Sequence, residues 1–325
     1  MMYKKLFIAV SFLVTIICGL LISQVYLRNK ITEIRKINLR LKWVDQAQFA
    51  GYYVADNQKL YLAAGLQVEM HPGGPEISPI QMVTTGVDDF GVTGADQILL
   101  AREKGIPLIA LAVFYKDSPV AVVSLKTKNI VSAKDLEGKK VAVVYGRDEE
   151  ALYRTILAVE GVNSKRITET PSIASPMEVV DQVDAQVGYE LNGGILLPLK
   201  GYPINMLRPR DFGIRFYGDT LFTTEKMVRE EPELVRKFIQ ATLLGWQEAF
   251  RDQTGAIDLV MKINSSLDRE HQTKFLEESQ SLMLSKGPLG FSEKEVWEEM
   301  QKTLINQGLM KSTVNINDVF TNDFL

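Results

Sequence analysis

The sequence predicts an α/β protein of two lobes with a helical C-terminal tail. Three observations carry this expectation. Alternating and continuous apolar stretches of strand length interleave with helical periodicity from 37 to 114. The same interleaving restarts at Val120 and runs to 207. From Thr224 onward the pattern changes to long amphipathic helices. Strand–helix repetition implies mainly parallel sheets covered by helices on both faces. A chain of 325 residues is long enough for two such units.

The N-terminal stretch 6–27 holds no charged residue, and about 20 apolar residues suffice to span a bilayer as a helix. Lys4 and Lys5 supply a short basic flank. Three readings stand: a retained membrane anchor, a cleaved signal segment, or lipidation at Cys18. The bulky Ile17 before Cys18 and the apolar run after it fit a lipid attachment site poorly, and small residues suited to cleavage do not follow the apolar core. Residues 1–30 are assigned to this segment, and 28–36 to a polar tether.

The alternation at 37–43 predicts a strand, and apolar spacing at 49–61 a helix. A second strand is expected at 66–70, a loop at 72–75 (Pro-Gly-Gly-Pro), a short helix at 80–85 and a strand at 89–92. A helix at 95–104 and a buried strand at 108–114 complete the first unit. The second unit reads as strand 120–125, helical turn 132–136, strand 140–144, helix 149–160, helix 176–183, strand 185–189 and strand 204–207. Helices follow at 232–251, 257–263, 269–284 and 294–307. The first lobe therefore takes 37–118, the second 119–217, and 218–325 returns to the first lobe. The chain crosses between lobes twice, near 115–120 and 215–221, which makes a hinge with a ligand cleft between its jaws.

Composition narrows the function. Residues 28–325 carry 35 basic against 40 acidic groups, so no nucleic-acid partner is expected. One cysteine and two histidines, His71 and His271, exclude a Cys/His zinc site and leave little for nucleophile–histidine chemistry.

Several stretches resemble a known family. They are 43–55 (WVDQAQFAGYYVA), 65–68, 72–80 (PGGPEISPI), 89–92, 216–224 (FYGDTLFTT), 232–246 (PELVRKFIQATLLGW), 268–272 and 321–325. In order and in wording they are similar to the extracytoplasmic solute-binding proteins of the ThiY type, within the SsuA/thiamine-pyrimidine-synthase-like superfamily. The resemblance covers roughly 37–325. It implies a type II periplasmic-binding-protein fold, a monomer outside the cytoplasm, an ABC permease and ATPase as partners, no cofactor, and a thiamine pyrimidine precursor as ligand.

The residues fit such a ligand on their own chemistry. A pyrimidine is flat and edged with donors and acceptors, so it needs an aromatic face and hydrogen-bonding groups at the ring edge. Asp45, Gln46 and Gln48 stand at a helix start beside Trp43 and Tyr52. Gly146 and Arg147 lie in a strand-to-helix turn, and Tyr189, Glu190 and Asn192 at a strand end, where such sheets face the crevice. Glu190 is expected to accept from an exocyclic amine and Asn192 to pair with a ring nitrogen. Gly73, Gly74, Thr93, Asp96, Tyr115, Tyr217 and Asp219 complete the expected ligand-binding set.

Each has a plainer reading. Trp43 and Tyr52 also suit core packing. Asp45 and Gln48 suit helix capping, Gly73–Gly74 a turn, and Asp219 the hinge backbone. Arg147 suits a surface pair with Asp148 or Glu149. His71 reads as a surface histidine, and 268–271 as a solvated helix start. Three departures from the commoner family pattern appear: Gly193 in place of an acidic residue, Val187 before Gly188 in place of Trp-Pro, and 56–60 in place of a glycine-containing helix end.

Rival functions remain open at this point. An enzyme is disfavoured because Thr93 and Gln97 fall where the related fungal thiamine-pyrimidine synthase carries lysine and histidine, and 213–217 lacks its cysteines. A sensory input module would need a further apolar span after the domain. A sulfonate or nitrate binder would need helix N-termini and an arginine at the cleft, an option the Gly146–Arg147 turn keeps.

Overall fold

A computed structural model describes residues 34–171 and 175–325. The N-terminal apolar segment and Cys18 lie outside the described residues. The first lobe opens with strand β1 (Arg35–Arg40), whose alternation buries Ile37 and Leu39. Strands β2 (Leu66–His71), β3 (Phe90–Gly94) and β4 (Leu108–Val113) follow, with helices α1 (Ala50–Asn57) and α2 (Ala95–Glu103) between them. The second lobe contributes β5 (Val120–Leu125), β6 (Lys140–Val143), β7 (Thr168–Pro171), β8 (Ala185–Tyr189) and β9 (Ile204–Leu207). Its helices include α3 (Asp148–Val159) and α4 (Gly193–Leu199). Strand β10 (Asp219–Thr224) leads back into α5 (Pro232–Arg251), α6 (Gln253–Ile263), α7 (Arg269–Leu284) and α8 (Lys294–Asn306).

The strands form two separate sheets, ordered β2-β1-β3-β10-β4 and β7-β6-β8-β5-β9. Both are mixed rather than uniformly parallel. β10 runs antiparallel to β3 and β4, and β5 runs antiparallel to β8 and β9. In each sheet the odd strand is the one that follows a crossing. It enters from the hinge end instead of returning over a helix, so no crossover constrains it to be parallel.

The crossings lie between β4 and β5 and between β9 and β10. They are tied to each other by Ser118 N–H to Phe216 O at 2.7 Å and Gly218 N–H to Tyr115 O at 2.9 Å. A side chain at Gly218 would place its Cβ 2.8 Å from Pro119 Cδ and 2.9 Å from Tyr115 Cβ, so the two strands of the hinge touch with no space between them.

The helical tail is core, not appendage. α5 buries Leu234, Phe238, Ile239 and Trp246 against the first lobe, and Phe238 stacks on Phe90 with ring centroids 4.3 Å apart. A Cβ on Gly245 would sit 2.3 Å from Gly51 O, so α5 meets α1 almost backbone to backbone. α8 lays Trp297, Met300 and Leu304 into a cluster that also takes in Ile98 from α2 and Ile156 from α3, and so holds both lobes from behind.

Several expected elements differ. The helix expected over 49–61 breaks after Asn57 because Lys59 adopts a left-handed φ of 60°, and a short turn resumes at Leu60–Ala63. The helix expected at 176–183 is one turn, Pro176–Val179. β7, α4 and β10 have no counterpart among the expected elements. β7 is a short edge strand of Thr-Glu-Thr-Pro, and α4 begins on two glycines, so both lack a strong periodic signal.

Candidate ligand-binding site

A cavity of about 520 Å³ opens between the two sheets, with a smaller one of about 220 Å³ beside it. Lys42 lines both. It stands just past the end of β1, where the chain leaves the sheet, and its side chain is only 4% exposed. Its ammonium donates to Asp148 Oδ2 of the second lobe at 2.6 Å and contacts the Tyr189 hydroxyl. It lies 3.4 Å from Asp219 Oδ1 at the start of β10. Tyr189 O–H donates to Asp219 Oδ1 at 2.7 Å, and Gln48 Nε2 donates to Asp219 Oδ2 at 2.6 Å. One buried lysine thus ties β1, β10, β8 and the start of α3 into a single network across the cleft.

The charges in this network respond to one another. Burial lowers the proton affinity of Lys42, but Asp148 and Asp219 outweigh it and hold the ammonium above its ordinary value. Burial would raise Asp148; the Lys42 charge and a hydrogen bond with Glu149 overcome that and hold it below the usual carboxylate range. Burial keeps Asp219 above that range despite Lys42, Gln48 and Tyr189. Two neighbours are pushed much further by burial and then by the Asp148 charge: Asp96 to about 7 and Glu149 to about 8.

A second link across the cleft comes from Arg147. Its guanidinium donates to Pro75 O at 3.0 Å and Ile77 O at 3.2 Å, contacts Gly74 O, and lies over the Trp43 ring at 5.3 Å. The surface pairing considered for Arg147 is replaced by this clasp on a first-lobe loop. Gly73 lets that loop pass: a Cβ there would sit 2.4 Å from Leu41 O. Gly94, at the end of β3, gives way in the same manner to the second lobe. A Cβ there would meet Asp148 Cβ at 2.8 Å and Cγ at 2.9 Å.

Of the expected residues, the larger cavity brings together Trp43, Gln46, Gln48, Tyr189 and Asn192. The smaller one takes Thr93, Gly146 and Arg147. Asp219 acts through the Lys42 network, and Asp96, with one oxygen accepting from Gln97 Nε2 at 2.7 Å, is buried next to it. The remainder sit elsewhere. Tyr52 is packed in the first-lobe core, edge-on to Phe114 and Trp246. The Tyr115 hydroxyl pairs with Ser279 Oγ at 2.9 Å. The Tyr217 hydroxyl accepts from Glu293 N–H at 2.8 Å in the contact with α8. Asp45 accepts from Tyr53 O–H at 2.7 Å. Glu190 is held by Arg208 Nε at 2.5 Å and by both terminal nitrogens of Arg210 at 2.7 and 2.8 Å, so its carboxylate is already satisfied by two guanidiniums.

The match to known proteins follows this architecture. The family model described as NMT1/THI5 like covers residues 46–256, which include the cavity's first-lobe amides, the whole second lobe and the return strand. The chain belongs to the NMT1/THI5-like family. It is 27% identical over 313 residues to the riboflavin-binding protein RibY of Chloroflexus aurantiacus, covering 91% of this chain and 88% of the relative. It is 24% identical over 295 residues to the formylaminopyrimidine-binding protein of Halalkalibacterium halodurans, covering 88% and 89%. Among solved structures, the alkanesulfonate-binding protein SsuA of Xanthomonas axonopodis pv. citri bound to MOPS superposes with a TM-score of 0.69 at 18% identity, over 89% of this chain and 99% of that one. The fold is the two-lobed periplasmic-binding-protein fold.

In this NMT1/THI5-like chain the sequence reading passes over Lys42, Glu149 and Gln272 as site residues, and Asp148 enters it only as part of the strand-to-helix turn 145–148. Lys42 stands in an otherwise apolar strand end, Leu41-Lys42-Trp43, which is the one signal that marks it. Asp148 and Glu149 look like ordinary first-turn acids of a helix. The stretch 268–272 needs correction. Asp268 caps α7, accepting from His271 N–H at 3.0 Å, and Arg269 and Glu270 are exposed as a solvated helix start should be, but His271 and the following Gln272 are buried. His271 Nε2 lies 2.9 Å from Leu191 O, and Gln272 Oε1 accepts from Ala47 N–H at 2.7 Å. Both residues line the larger cavity, and burial lowers the proton affinity of His271.

Proposed function

We propose that this chain is an extracytoplasmic solute-binding protein that captures a flat nitrogen heterocycle between its lobes and passes it unaltered to an ABC permease. The observation that carries this reading is the larger cavity's lining: the aromatic rings of Trp43 and Tyr189 with the side-chain amides of Gln46, Gln48 and Asn192. Rings supply stacking area, and the amides of Gln46 and Asn192 supply donors and acceptors for a heterocycle edge, while Gln48, which accepts from Gln46 Nε2 at 2.6 Å and donates to Asp219, holds Gln46 in place. Relatives named for formylaminopyrimidine and riboflavin favour the same ligand class.

A thiamine pyrimidine precursor is the first candidate. A flavin-sized ring system is the second, favoured by the volume of about 520 Å³, which leaves room beyond a single six-membered ring. Gly188 adds to that room, because a Cβ there meets nothing within 4 Å. A sulfonate is a poorer match. Among the described residues, the lysine on this wall is Lys42, and its charge is already matched by Asp148 and Asp219. Capture without chemistry requires only closure around the ligand, with affinity set by ring burial and edge hydrogen bonds less the cost of ordering the jaws.

Mass spectrometry of small molecules released from the purified full-length chain, followed by calorimetry with aminopyrimidines, riboflavin, alkanesulfonates and nitrate, tests the reading. The expected result is binding of a heterocycle and none of the anions. A sulfonate or nitrate bound more tightly than any heterocycle overturns it.

A further inference from the structure

Among the described residues, Glu149 is the one member of the buried charge cluster that faces the larger cavity without an ionic partner. It lies in the first turn of α3, is 7% exposed, and belongs to the cavity wall. Glu149 Oε2 and Asp148 Oδ1 are both buried with no donor from elsewhere in the protein. Two adjacent carboxylates cannot satisfy each other, but one proton between them satisfies both. Asp148 is the member that ionises, because its other oxygen receives the Lys42 ammonium at 2.6 Å. The proton therefore rests on Glu149, which donates it to Asp148; the neutral carboxyl, although its own backbone N–H also approaches it, keeps lone-pair capacity to accept from a ligand at the cavity wall. The rise of its proton affinity to about 8 agrees with this placement.

We infer that Glu149 is a specificity-determining residue: its neutral carboxyl accepts a hydrogen bond from an N–H of the ligand, and so selects aminated heterocycles over analogues that lack the donor. The inference rests on the heterocycle reading of the cavity and assigns the group that reads the ring edge. The charged and titratable neighbours fit it. Lys42 from the end of β1 is matched by Asp148 and by Asp219 from β10, and Tyr189 from β8 donates to Asp219. Asp96 from α2 lies beyond Asp148, and Asp268 and His271 stand on the α7 side of the cavity. Arg147, on the turn before Glu149, is spent on the 74–77 loop. A ligand donor therefore meets an acceptor at Glu149, and a ligand carrying negative charge meets no unmatched lysine or arginine among the residues that line the cavity. Sites built around a buried hydrogen bond reject ligands that cannot make it, because the buried group is then left unpaired.

The test is a cycle of ligand against variant. The probes are 4-amino-5-hydroxymethyl-2-methylpyrimidine and its analogue with methyl in place of the amine, titrated calorimetrically into the full-length chain. Wild type is expected to prefer the amine by about 10- to 100-fold. Glu149→Gln is expected to keep that preference, since its amide NH₂ still donates to Asp148 and its oxygen still accepts. Glu149→Leu is expected to bind both probes alike. Equal binding of both probes by wild type, loss of the preference in Glu149→Gln, or its survival in Glu149→Leu overturns the assignment and leaves the heterocycle reading standing. Failure of wild type to bind either probe or riboflavin overturns both.

Discussion

Substituting Lys42→Met removes the only cation among the described residues at the centre of the interlobe network while keeping the volume of the side chain. The structure gives the magnitude. Lys42, Asp148 and Asp219 have side chains 4%, 2% and 4% exposed, so the two carboxyls cannot turn to water for solvation. Breaking a buried pair by deleting one partner costs about 3–5 kcal/mol, because the other charge stays behind uncompensated. With an unfolding entropy of about 2.1 cal/mol/K per residue over 325 residues, that corresponds to a fall in Tm of roughly 4–7 °C at pH 7.5. The sign with pH follows from Asp148, whose folded proton affinity lies below its unfolded value while Lys42 is present. Its stabilisation is fully present above the unfolded carboxyl range near pH 4 and is lost as pH falls through the lower folded value. The gap between wild type and variant should therefore be widest at neutral pH and close toward pH 4 and below, where both states of the variant carry protonated carboxyls. Calorimetric melting at pH 4, 5.5 and 7.5 measures this. A Tm within about 2 °C of wild type at pH 7.5, or a gap that does not change with pH, refutes the reasoning.

Two further perturbations address closure. Gly94→Ala brings a methyl to 2.6 Å from Asp96 Oδ1, which its side chain can relieve by turning, and to 2.8–2.9 Å from Asp148 Cβ and Cγ across the cleft, which α3 must relieve by moving. It is expected to leave each lobe folded but to enlarge the radius of gyration in small-angle scattering and weaken ligand binding at least about tenfold, the effect of about 1.4 kcal/mol; an unchanged radius and affinity count against the close approach. Arg147→Ala removes the clasp on Pro75 and Ile77 and the cover over Trp43, contacts worth about 1.5–3 kcal/mol when a charged donor is involved. Ligand release measured by stopped flow should quicken by about 10- to 100-fold with little change in association, and an unaltered release rate sinks the clasp.

The sequence by itself determined the periodic part of this protein. Strands at 120–125, 185–189 and 204–207, helices at 232–251 and 269–284, and the two crossings are legible because burial repeats every second or every third to fourth residue, and both repeats are written locally. Trp43, Gln46, Gln48, Tyr189 and Asn192, which the sequence places at strand and helix ends, line the cavity between the sheets, and their contact with a ligand is part of the proposal. What only the tertiary structure decided is which polar groups answer one another. Lys42 and Asp148 are separated by 106 residues, and Gln48 and Asp219 by 171, so no local pattern couples them. The sequence reading favours Glu190 as a ligand group and passes over Glu149. Arg208 and Arg210 hold the first, whereas no cation among the described residues forms a salt bridge with the second, which lies against Asp148, and that difference arises from packing, because a buried charge takes its character from whatever partner the fold brings within hydrogen-bonding distance.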